Sequence, residues 1–81
     1  MKSGFRIELA DLPEGVPSRI TAITTGEPDQ ARLEVLGLCA GRTVEVVQAG
    51  DPMIVRVLGT RIGLASVLAR GIEVERECGT A

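Results

Sequence analysis

Few side chains in this chain are able to do chemistry. There is no histidine and no tyrosine, and the two cysteines are far apart. What remains for chemistry is carboxylates, arginines and two thiols. Glu34 and Glu45 are the pair that general acid–base catalysis would use, one giving a proton while the other takes one. Each falls on the polar side of an amphipathic segment, however, where a solvated carboxylate is the ordinary occupant. The G-x-S-x-G turn and the phosphate-binding P-loop are both missing. No enzymatic activity is expected, and no catalytic residue is assigned.

Metal binding fares little better. Ferrous and zinc sites draw on imidazole and thiolate held in fixed geometry. Cys39 and Cys78 lie far apart with no C-x-x-C spacing. Cys39 reads as a small hydrophobe at a helix cap and Cys78 as an exposed thiol in the tail; a disulfide between them is unexpected in a reducing compartment. Glu73, Glu75 and Glu77 would share one strand face at steps of about 6.8 Å, too wide for all three to grip one ion unaided. They read as a solvated edge strand. No metal ligand is assigned and no cofactor is expected, with weak or partner-dependent ferrous binding left open.

The charge pattern argues against nucleic acid. The chain carries nine basic and eleven acidic residues, a net charge of −2. No two basic residues are adjacent, whereas affinity for phosphate needs them clustered. Folding would have to gather Arg42, Arg56 and Arg61 to make a basic patch. Proline-rich peptides are gripped between aromatic rings, and Phe5 is the only aromatic here. No apolar run is long enough to cross a bilayer, and acids interrupt the start where a signal peptide would need an apolar stretch. A cytoplasmic protein without membrane insertion is expected.

One pattern suits contact with another protein. Ile54 and Leu58 flank Arg56 on the outward side of a strand, Arg61 follows, and Val47 breaks the alternation of the neighbouring strand. Aliphatic side chains around an arginine make a reasonable docking face. Ile54, Arg56, Leu58 and Arg61 are therefore the expected partner-binding residues.

The elements that position these residues follow from period and punctuation. "LADLPEG" reads as one helical turn and a corner at Gly15. "VPSRITAITTG" is rich in β-branched residues and predicts a strand over 17–24. "GEPDQARLEVLGL" predicts a helix, with Pro28 and acids in its first turn. Leu33 and Leu36 are expected on one buried face, and truncating Leu36 to alanine to cost about 2–5 kcal/mol. Gly37 is expected in the left-handed conformation that closes a helix, with Leu38 packing back on Leu33. After Gly41 the period becomes two. "TVEVVQ" and "MIVRVLG" predict a hairpin across 49–52 with Val44, Val46, Val55 and Val57 inward. "GTRIGLA" predicts a third strand of that group. Ser66 is expected to cap the turn "SVLAR", and "IEVE" closes the chain with Ile72 and Val74 inward. Leu33, Leu36, Gly37, Leu38 and Gly41 are the expected structural residues.

Five short strands, one helix between the first and second, and short helical turns predict a small, mainly β barrel. The order of motifs resembles the FeoA family. The resemblance spans roughly residues 9 to 75 and rests on "LADLPEG", "ARLEVLGLCAG" followed by "TVEVV", "GDPMIVRVLGTRIGL", and Ala69 before "IEV". It departs in one place: the proline that usually follows the Leu-Gly-Leu helix end is replaced by Ala40, preceded by Cys39, which is expected to loosen the loop.

The resemblance implies an SH3-like barrel formed by a single domain over residues 1–81, with a core at about 9–75 and a frayed tail at 76–81. It implies a non-enzymatic accessory protein of ferrous iron uptake, docking to the cytoplasmic part of the FeoB transporter and recruited by it to the inner face of the membrane. It also carries a label of transition-metal binding, which the residues themselves do not support as a high-affinity site. The alternative it implies is a standalone regulatory barrel, related to the C-terminal domain of iron-dependent repressors and acting in metal-dependent gene regulation.

Overall fold

A computed structural model describes residues 6–76. Six strands are present: β1 (Arg6–Glu8), β2 (Ser18–Ile23), β3 (Thr43–Gln48), β4 (Met53–Val57), β5 (Thr60–Leu64) and β6 (Ile72–Arg76). Helix α1 (Asp29–Val35) lies between β2 and β3, and the single turn α2 (Ser66–Ala69) between β5 and β6. A 3-10 turn at Leu9–Asp11 follows β1. The strands form one antiparallel sheet in the order β1-β6-β2-β3-β4-β5.

Three expectations are corrected here. The described residues form six strands rather than five, because Arg6–Glu8 pairs with β6 through Arg6↔Glu75, Ile7↔Val74 and Glu8↔Glu73. Three residues are too few to show alternation, so only the tertiary pairing makes them a strand. The helix therefore follows the second strand rather than the first. β6 also turns out to be an interior strand between β1 and β2, rather than the expected solvated edge.

The sheet is open, since β1 and β5 do not pair with each other. It nevertheless covers its own inner face. The core gathers Ile20, Val44, Val46, Met53, Val55, Val57, Leu64, Ile72 and Val74 from five strands, while α1 adds only Leu33 and α2 only Ala69. With so little helix to cover it, a flat sheet of this width would leave much of that face wet, so the strands must curl around one another. Leu9 and Leu12, in and just after the 3-10 turn, are both buried and join this core.

Two strands carry bulges. The register of β2 on β6 shifts between Ile20 and Ala22, and that of β3 on β4 between Val46 and Gln48. The extra residues are Thr21 and Val47. Each inserts one position, bends its strand and raises the local twist, which helps a small sheet curl. Thr21 is tied down by a hydrogen bond from its hydroxyl to the Glu73 carbonyl at 3.1 Å.

The end of α1 is built as the residue types require. Gly37 has φ +96°, the left-handed region. Its N–H donates to the Glu34 carbonyl at 2.9 Å, and the Leu38 N–H donates to the Leu33 carbonyl at 2.9 Å. These two bonds define a Schellman cap, and Leu33 and Leu38 are both fully buried behind it. Leu36 is the correction: it is 46% exposed. The helix ends at Val35, so its one inward turn is spent on Leu33, and the second core position is filled by Leu38 after the reversal. Gly41, also left-handed at φ +92°, donates its N–H to the Ile20 carbonyl at 2.7 Å and so ties the same loop to β2.

The cap of α2 also differs from expectation. Ser66 makes no side-chain cap and the N-cap residue is Ala65. The Ser66 N–H instead donates to the Asp51 carboxylate at 3.0 Å. The loop between β3 and β4 thus supplies from a distance the acceptor that a local serine was expected to give.

Candidate functional site

The turn between β4 and β5 is where the surface departs most from a solvated β protein. The two strands are joined by Leu58 and Gly59, with φ of 54° and 76°. Positive φ at both central residues is the tight hairpin turn whose twist matches the strands, and it favours Asn-Gly. A leucine there costs about 1–2 kcal/mol of backbone strain. It does not recover that cost by burial, since Leu58 is 65% exposed. Strain held on an exposed apolar side chain is a pointer to function.

Leu58 sits against the end of α1. A Cβ built on Gly37 would lie 3.1 Å from Leu58 Cδ1 and 3.9 Å from Val57 Cγ1, so the glycine lets the leucine lie against the helix cap. The same end of the helix exposes Val35, at 86%, and Leu36. The exposed aliphatic residues at the Gly37 corner are thus Val35, Leu36 and Leu58, contributed by two separate elements.

The other expected contact residues lie on the neighbouring strands. Ile54 is half-buried and Arg56 and Arg61 are exposed. Arg56 and Arg61 stand directly opposite one another across β4 and β5. Arg56 is already engaged, 3.6 Å from Glu45 on its other side. Of the four residues, then, Ile54, Arg56 and Arg61 share the outer sheet surface, while Leu58 belongs to the turn tip and faces the helix end. Val35 and Leu36 were missed. A leucine beside a glycine-stopped helix reads as core, and only the tertiary position of the cap exposes it.

The residues considered for chemistry do not converge. Glu34 lies on α1, 3.4 Å from Gln30 Nε2 of its own helix, and Glu45 is the partner of Arg56. Cys39 is half-buried, with Arg42 Nη2 donating to its Sγ at 3.7 Å. Glu75 lies 3.9 Å from Arg19, and Glu73 accepts from Thr21. Cys78, Glu77, Phe5 and the tail expected to fray lie outside the described residues. Among the described residues no three His, Cys, Asp or Glu side chains gather as an ion would require. The donors among the described residues do not converge as a ferrous or zinc centre requires. No helix among the described residues is long and apolar enough to cross a membrane.

A curled antiparallel sheet of short strands, folded over an aliphatic core and presenting a hairpin tip near one helix end, is the architecture of a small SH3-like domain. A model of the FeoA domain family matches residues 7–76, and the chain belongs to that family. Among solved structures, the FeoA protein of Chlorobium tepidum superposes with a TM-score of 0.84 at 27% identity, covering 93% of this chain and 74% of that one. Stenotrophomonas maltophilia FeoA was solved with zinc and is described as a prokaryotic SH3 domain protein and a candidate ferrous iron transport activating factor. It superposes at 0.76 with 25% identity, covering 84% of this chain and 88% of that one. IdeR of T. acidophilum matches at 0.80 with 23% identity over 95% of this chain and 37% of that one, a likeness of fold alone. No protein of curated function matches the chain closely.

Proposed function

We propose that this protein is a non-enzymatic accessory of ferrous iron uptake that docks to the cytoplasmic part of a FeoB-type transporter. Family membership supports the iron-transport setting, together with the activating role ascribed to the S. maltophilia relative. The observation that carries the docking mode is Leu58, held in a left-handed turn with 65% of its surface in water beside exposed Val35 and Leu36. The folded domain leaves much of this apolar surface in water, whereas a partner that covers it gains apolar burial worth about 25 cal/mol per Å². Binding one transporter state better than another would shift the transporter toward that state.

The test uses the purified cytoplasmic part of the transporter and measures its affinity for the full chain. Leu58→Gly keeps the turn, because glycine adopts positive φ freely, and removes the apolar contact. Lost or strongly weakened binding by a folded Leu58→Gly variant supports the reading. Undiminished binding by that variant, or none by the unaltered protein, overturns it. The repressor-type alternative rests on a likeness of fold at 23% identity, and a salt-sensitive shift of DNA would be needed to favour it.

A further inference from the structure

The edge of the sheet formed by β5 carries an inference of its own. Among the described residues β5 pairs only with β4, so its other side is unpaired. The two-residue turn fixes which groups point there. Val57 and Thr60 close the hairpin and exchange hydrogen bonds, and the alternation then gives Val55 with Ile62 and Met53 with Leu64 the same role. The intervening residues, Arg61 and Gly63, therefore aim their N–H and C=O groups away from β4, at the free edge. Both are exposed.

The side chains on the outer surface say what would complete this edge. Across β3, β4 and β5 one row reads Glu45, Arg56, Arg61. Glu45 balances Arg56 at 3.6 Å. Arg61, opposite a like charge, makes no ion pair among the described residues, and the row ends on it. Like charges directly opposite destabilise a sheet, and opposite charges stabilise it. The adjacent row holds Ile54 opposite Gly63, and a Cβ on Gly63 would lie 3.7 Å from Ile54 Cδ1, so the isoleucine flanks a bare stretch of backbone.

We propose that β5 is a strand-addition site for an extended segment of a partner protein carrying an acidic side chain beside Arg61 and an apolar one two positions away beside Ile54. Backbone hydrogen bonds to Arg61 and Gly63 supply the attachment, and the two side chains supply the selection. A second copy of this chain is a poor occupant. Pairing β5 with itself about Ile62 would set two Arg61 side chains at diagonal positions, about 7–8 Å apart at the backbone, with an Arg56 behind each. The proposal deepens the docking reading, on which it rests for the partner's identity but not for the mode of attachment.

The experiment is an amide NMR titration of the full chain with two short capped peptides. They alternate threonine and valine and differ only in a central glutamate or lysine. The expected result is that the glutamate peptide shifts and protects the Arg61 and Gly63 amides, while the lysine peptide binds about fivefold or more weakly. Gly63→Pro removes an outward N–H, which an edge strand tolerates without losing its inner ladder, and is expected to abolish the response. Arg61→Glu is expected to reverse the preference, and it serves if the proline variant does not fold. Equal response to both peptides, or shifts that leave β5 untouched, overturns the proposal. So does protection of these amides by the protein's own concentration, which would assign the edge to a second copy. Failure of the transporter's cytoplasmic part to bind, with the peptide response intact, overturns only the identity of the partner.

Discussion

The inner and outer sides of Gly37 contrast sharply. On the inner side, Leu33 and Leu38 are fully buried behind the Schellman cap and its two backbone hydrogen bonds. On the outer side, Val35, Leu36 and Leu58 are exposed, Leu58 on a strained backbone. The residue types are the same, but their consequences differ. The inner leucines hold the fold together, and the outer ones add little to it. Aliphatic character alone therefore does not say what a side chain is for in this molecule; position relative to one reversed residue does.

The largest effect that would break this contrast is a core truncation. Leu38→Ala or Leu33→Ala is expected to cost about 2–5 kcal/mol, read from denaturant midpoints. For a domain of 81 residues that is a large part of the margin. Gly37→Ala should cost about 1–2 kcal/mol from the left-handed backbone, plus whatever Leu58 loses in moving aside. Combining it with Leu58→Gly should return that second part, so a double-mutant cycle would show coupling between the two sides. Leu36→Ala should cost less than about 1 kcal/mol by thermal melting, since half-exposed apolar side chains bury little. Leu58→Gly is expected to change stability least, because relief of strain offsets lost packing, while weakening partner binding most.

Much of the β architecture could be read from the chain. Alternation in "TVEV" and "MIVRV" set the inward valines, and glycine spacing set the turns. Even a break was informative, as the imperfect alternation at Val47 turned out to mark one of the two bulges. What could not be read was created by tertiary pairing. Arg6–Glu8 has no strand signal of its own and exists as one only because β6 lies beside it. Leu36 shared a helical face with Leu33 only if the helix continued, and it stops one residue short. The acceptor for the α2 turn came from Asp51, fifteen positions away in the chain. For the candidate site, Arg61 and Ile54 were visible as outward residues. The strain at Leu58 was not, because no residue type announces that a leucine will take positive φ.

The strand order has a consequence for how the domain is carried. β1 and β6 are antiparallel neighbours, with Arg6 opposite Glu75, so the polypeptide enters and leaves through a single doorway at one border of the sheet. The unpaired margin of β5 is at the other border. Anything fused before or after this module would hang from the doorway, next to β1 and β6 and at the opposite end of the strand order from β5, which suits a unit appended to larger proteins.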